Sequence, residues 1–155
     1  MKPSKSLFVY ISVLIFASCT NERYQTAISI KNSLCDSLEV IAFQKKKPKV
    51  KSFLILKDQL AVIYDSNDRN IDAVRLINNV FDSIKIKDLH SSLSIKFTPD
   101  SSYHYKTNPY KGMDGWSVSS SFRSDRGTFG QNLFSSTNFI IDIDANKSAF
   151  GVVGE

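Results

Sequence analysis

Apolar side chains alternate with polar ones at a spacing of two along most of this chain, and nothing else in it limits the fold as much. A period of two puts one face of an extended segment against a core and leaves the other in water. Ile28 and Ile30 do this in 26–31. In 38–43 Leu38, Val40 and Ala42 share one face, with Ile41 and Phe43 on the other. Segments 52–56 and 60–64 are both apolar, and Lys57-Asp58-Gln59 between them reads as a hairpin by length, though it lacks the glycine of a primed turn. Ile84 and Ile86 align in 82–87, and Leu93, Ile95 and Phe97 in 93–98. Segments 103–105, 116–122 and 137–143 also read as strand. The exception is 73–81, where Val74, Ile77 and Phe81 are spaced by three and four and Asp72 stands ready as a cap. A short helix is expected there, with an irregular strand as its rival. Strands of this length with turn residues between them predict an all-β fold. The expected form is an antiparallel β-sandwich, Ig-like or transthyretin-like, with at most one short helix. Its expected core is Ile28, Ile30, Val40, Ile55, Val62, Ile84, Ile86, Ile95, Phe97 and Ile141.

The first nineteen residues carry an address. Lys2 and Lys5 form a basic start, residues 7–16 are an uncharged apolar run, and Ala17-Ser18-Cys19 follow. That order matches a secretory signal peptide. Its apolar stretch is shorter than the roughly 20 residues that span a bilayer. Cys19 behind Ala-Ser resembles a bacterial lipobox, apart from Phe16 where leucine is usual. The expectation is a lipoprotein signal peptide over 1–18, a lipidated Cys19, a tether over 19–25 and a single β-rich domain over 26–155. An ordinary signal peptide and a retained anchor are the rivals. Acylation would place the chain on a membrane of the cell envelope, on the periplasmic or the surface side of an outer membrane.

Removal of 1–18 lowers the formal charge from +5 to +3, because Lys2 and Lys5 leave and no acid does. The most basic stretch, 45–51, holds Lys45, Lys46, Lys47, Lys49 and Lys51 around Pro48. In an exported protein it reads as a solvated hairpin loop whose lysines guard strand edges. The functional alternative is contact with anionic lipid. Nucleic acid is not an expected partner. With Cys19 acylated, Cys35 is the remaining thiol. It is expected as a small buried hydrophobe, with an intermolecular disulfide or a reactive role as alternatives.

Composition shifts near residue 110. All six glycines lie at 112 or later, and serines cluster over 117–136. Large aromatics join them, so the region reads as loop-rich. Tyr103, Tyr105, Tyr110, Trp116 and Phe122 together have the makeup of protein-binding loops, in which rigid aromatics give contact area and small polar residues adapt. They are the candidate contacts for an envelope protein or a glycan. The competing reading puts Trp116 and Phe122 in the core.

No candidate for catalysis stands out. His90 and His104 are isolated, Asp100 is too far from His104 along a strand to orient it, and no glycine-flanked nucleophile elbow is present. Two histidines and one thiol do not make a transition-metal site. Asp142, Asp144, Asn146 and Ser148 alternate like the start of a calcium loop. Yet Lys147 occupies the place of the turn glycine and Val153 that of the closing acid. No metal or cofactor is expected. A non-catalytic binding or structural module is favoured over a small envelope enzyme such as a hydrolase.

The lipobox cysteine, Ile28-Ser29-Ile30-Lys31-Asn32, the strand Phe81-Asp82-Ser83-Ile84-Lys85-Ile86 and Asn108-Pro109-Tyr110 occur in this order. In this the chain resembles the small uncharacterised lipoproteins of Bacteroidota, over most of residues 16–110. The resemblance implies a β-sandwich and an envelope location. It brings no catalytic residues with it.

Overall fold

The computed structural model of the protein describes residues 20–46, 50–70, 72–91, 93–101, 108–114, 116–127 and 130–143. The strands are β1 (Thr20–Lys31), β2 (Ser37–Gln44), β3 (Val50–Leu56), β4 (Leu60–Ser66), β5 (Phe81–Asp88), β6 (Ser94–Phe97), β7 (Trp116–Gly127) and β8 (Gly130–Asp142). One helix, α1 (Ala73–Val80), precedes β5. Two four-stranded sheets form, in the orders β4-β1-β8-β7 and β3-β2-β5-β6. The fold is an all-β sandwich with one short helix. All pairings are antiparallel except β1 with β8, which run parallel from Thr20↔Gln131 to Lys31↔Asp142.

Alternation explains the core. Ile28, Ile30, Val40, Ile55, Ile84, Ile86, Ile95, Phe97 and Ile141 are all buried, as their spacing predicts. Val62 is not: it is 47% exposed, and Ile63 is buried in its place. A bulge causes the exchange. Ile28 faces Tyr64 while Ser29 faces Val62, so Ile63 is the extra residue on β4. A bulge puts two neighbours on one side of a strand, here Ile63 and Tyr64, and Tyr64 meets Phe81 edge to face at 6.3 Å. Leu93 also falls outside the core, because β6 begins only at Ser94.

Helix α1 forms as its spacing predicts. Asp72 accepts from the Arg75 N–H at 3.0 Å, and Ala73, Leu76 and Ile77 turn inward. β5 and β6 pair as an antiparallel hairpin, with Ile84↔Phe97 and Ile86↔Ile95 in register. The expected hairpin of β3 with β4 does not form. β3 pairs with β2 and β4 with β1, so residues 57–59 cross from one sheet to the other. Asp58 takes φ 61° in that crossover, a left-handed conformation that aspartate tolerates better than most residues. Likewise 20–25 is no tether. It is strand, in register with Gln131–Ser136 of β8.

The ends of the sandwich are set by polar anchors. At one end Asn32 joins the two sheets. Its Nδ2 donates to Cys35 O at 2.8 Å and to Ile55 O at 3.1 Å, and its Oδ1 accepts from Cys35 N at 3.0 Å. Its backbone N–H donates to Gln59 O at 2.9 Å, and its carbonyl accepts from Asp58 N at 2.6 Å. At the other end Lys45 N–H donates to Val80 O at 3.0 Å, and Thr26 Oγ1 donates to Asp68 O at 2.6 Å. Since β1 and β3 end and β2 and β4 begin beside Asn32, and β5 runs antiparallel to β2, the starts of β1, β3 and β5 and the ends of β2 and β4 lie at the second end.

Ile84→Ala and Ile95→Ala should each cost about 2–5 kcal/mol in denaturant unfolding, the usual loss for a truncated core isoleucine. Val62→Ala should stay within about 0.5 kcal/mol, as surface changes do. A large loss at Val62 and none at Ile63→Ala would contradict the bulge.

Candidate functional site

Sheet β4-β1-β8-β7 is longer than its partner. Buried side chains on β1 begin at Thr26 and on β8 at Phe139, among the described residues. Before those points β1, β8 and β7 continue as a three-stranded ribbon, from Tyr24↔Ser135 and Phe122↔Ser135 down to Thr20↔Gln131 and Arg126↔Gln131. The expected strand 116–122 is thus the first half of β7, and the loop-rich reading of 123–127 and 130–136 gives way to paired strand. Serine and glycine hide it, since a ribbon open on both faces needs no apolar alternation and is held by backbone hydrogen bonds.

The sequence-predicted contacts separate on this frame. Tyr103 and Tyr105, with His104, lie outside the described residues. Tyr110 is 3% exposed and belongs to the core, so it is removed from the candidate surface. Trp116 is half-buried, with its ring edge-on to Phe139 at 6.4 Å and Nε1 donating to Pro109 O at 3.2 Å. Phe122 alone among the described candidates stands in solvent, 68% exposed. Val118, on the same face of β7, is exposed with it.

Asn108-Pro109-Tyr110 turns out to be a structural corner. Asn108 is buried, donating through Nδ2 to Thr98 O at 3.1 Å and Ser101 Oγ at 2.8 Å and accepting from Tyr110 N at 3.1 Å. Asn78 of α1 donates to Tyr110 O at 2.8 Å, tying the helix to the same corner. The Tyr110 hydroxyl is buried without a hydrogen-bond partner among the described residues. Burial, and after it the charge of Asp82, pushes this phenol well above its ordinary range.

The remaining candidates take structural places. Cys35 packs against the core, and burial pushes its thiol up, with Asp88 and Asp36 adding to the effect. A raised thiol is a poor nucleophile near neutral pH. His90 lies exposed in the β5–β6 turn, where its backbone N–H donates to Asp88 Oδ1 at 2.9 Å. Asp142 accepts from Ser33 Oγ and pairs with Lys31 at 3.6 Å; Asp144, Asn146 and Ser148 lie outside the described residues. Among the described residues no three His, Cys, Asp or Glu side chains gather as a metal site would require.

A second surface was not singled out by sequence reasoning: the outer face of sheet β3-β2-β5-β6. Leu54 is 63% exposed and Val50 57% exposed there, beside half-buried Ile41 and Phe43. Lys85 stands opposite Lys96 across the β5–β6 ladder, with Lys87 two residues on. The alternation that marks one face of β2, β3 and β5 for the core marks this opposite face too. Compared with known protein families, curated proteins and solved structures, the chain finds no match among any of the three.

Trp116→Ala should cost about 3 kcal/mol of stability, since it strips an edge-on partner from Phe139, whereas Phe122→Ala should stay within about 0.5 kcal/mol. Equal losses at the two positions would place Phe122 in the core. The raised Tyr110 phenol gives a pH test. It stays neutral in the folded chain where the unfolded chain ionises, so its stabilisation is complete below about pH 10 and falls away above it. Unfolding free energy measured upward from there should drop more steeply in the wild type than in Tyr110→Phe; parallel profiles would contradict the burial.

Proposed function

We propose that the chain is a lipid-anchored protein of the cell envelope, held through Cys19, that binds an envelope protein or glycan and performs no catalysis. The observation that carries this reading is the ribbon of β1, β8 and β7, which outruns the opposing sheet and leaves Phe122 uncovered, with Val118 exposed on the same face of edge strand β7. Apolar and aromatic side chains on a rigid, uncovered face are suited to partner contact. Thr20, the first residue of β1, follows Cys19 directly, so acyl chains on that cysteine join a sheet rather than a loose tether.

Growth with a fatty-acid probe should label the wild type and leave Cys19→Ala unlabelled; equal incorporation would overturn the anchor. Phe122→Ala, with its fold intact, should weaken partner retention by about 2 kcal/mol, the usual loss for an aromatic anchor.

A further inference from the structure

We propose a second membrane contact: the hairpin end of sheet β3-β2-β5-β6 docks on the anionic surface of the same bilayer that holds Cys19. This inference rests on the anchored reading above. Lys45 and Lys46 are exposed at the end of β2, and Val50, 57% exposed, opens β3. Phe43 faces Val50 across the ladder, and Lys96 Nζ lies 5.9 Å from the Phe43 ring centre. Lys85 stands directly opposite Lys96. Like charges in that position destabilise a sheet, a cost that an anionic surface laid over them would relieve. An acid on the same face, Glu39, lies further from the hairpin and accepts from Ser52 at 3.3 Å. The ion pairs among the described residues, Lys31–Asp142 and Arg123–Asp125, lie on the other sheet. Cationic side chains around exposed valine and phenylalanine suit a bilayer interface, where lysines meet phosphate and apolar groups enter the headgroup layer.

Position selects the membrane over a free polyanion. β1 runs toward Asn32 and β2 away from it, and Asn32 bonds to both sheets, so the end of β2 and the start of β1 both lie at the end of the sandwich remote from Asn32. From Thr26 to Thr20 the ribbon runs about 20 Å past that end. The two sheets sit about 10 Å apart. With its strands inclined at roughly 30° to the bilayer plane, the sandwich lays the ribbon tip and the Lys45–Lys46 end of β2 on one plane. Each lysine near an anionic surface adds about 1 kcal/mol of attraction, and salt screens it.

The test uses the full chain, processed in its host and reconstituted in vesicles of phosphatidylcholine alone or with added phosphatidylglycerol, each carrying brominated lipid. The chain has one tryptophan, Trp116, so Val50→Trp and Leu56→Trp are each read against the wild-type emission. Leu56 is exposed on the same strand about 20 Å away, at the far end. Val50→Trp should be quenched in the phosphatidylglycerol vesicles, much less in phosphatidylcholine, and Leu56→Trp in neither. Adding Lys45→Glu and Lys46→Glu, which leave the core untouched, should abolish the Val50→Trp quenching. Equal quenching at 50 and 56, or quenching indifferent to phosphatidylglycerol, would overturn the docking. So would recovery of the chain in the supernatant of both vesicle types. A vesicle-bound chain whose Val50→Trp is unquenched by the lipid in either vesicle but shifts its emission on addition of free anionic polymer would assign the face to a soluble polyanion and overturn it too. The mass at Cys19 is measured on the same sample: a chain without acyl mass overturns the anchor, and an acylated chain with an unquenched Val50→Trp overturns the docking alone.

Discussion

The bonds of Asn32 are the fixed point of this sandwich. Two facing sheets are held together by apolar contact, which is non-directional and sets no register between them. Asn32 supplies direction. It sits at the end of β1 in one sheet, reaches a carbonyl of β3 in the other, and closes the turn to β2 and the crossover to β4. Its side chain is wholly buried, so each of those groups would be stranded from water if it were lost. Leaving one buried donor or acceptor unsatisfied costs about 1–3 kcal/mol, and this residue serves several. The left-handed Asp58 is affordable only because its N–H has the Asn32 carbonyl to meet.

With one end locked, the other is where the sheets differ in length. The residues near 110 that look like a recognition loop by composition are divided between two tasks. Asn108, Tyr110 and Trp116 build the corner that joins α1, β6 and β7. Phe122 lies six residues beyond Trp116 on the same strand face, past the last side chain of the opposite sheet that could cover it. Being aromatic and flanked by serine does not separate these tasks. Distance along the strand from the end of the opposing sheet does.

This is also why some elements were legible in the sequence and others were not. Where one face of a strand is buried, the period of two survives: Val40, Ile84, Ile86 and Ile95 were readable because half of each strand must leave water. The helix was readable from Asp72 and its three-four spacing. Val62 misled because a bulge shifts the period by one residue, and a bulge on β4 is visible only against β1. β3 and β4 misled because a short connection serves a crossover as well as a hairpin. Segments 20–25, 123–127 and 130–136 misled because their strands are held through the backbone, which leaves no mark on side-chain pattern. Of the candidate site, Phe122 and the lysine run could be named from sequence. The division between Tyr110 and Phe122 could not, since both are aromatics among small polar residues.

The parallel pairing of β1 with β8 has a consequence for how the chain comes to be folded. Ile28 meets Tyr64 of β4 early in the sequence but meets Phe139 of β8 only after every other described strand has been made. Contacts so far apart along a chain are slow to form, because loop closure must come before they contribute. A chain delivered amino end first would emerge with one edge of β1 bare, and the wait would last until β8 arrived. During that interval the polar stretch 20–25, rich in charge and amide groups, is a poor template for pairing with other chains. The same lack of apolar pattern that hides this strand from a reader would then shield it from its neighbours in transit.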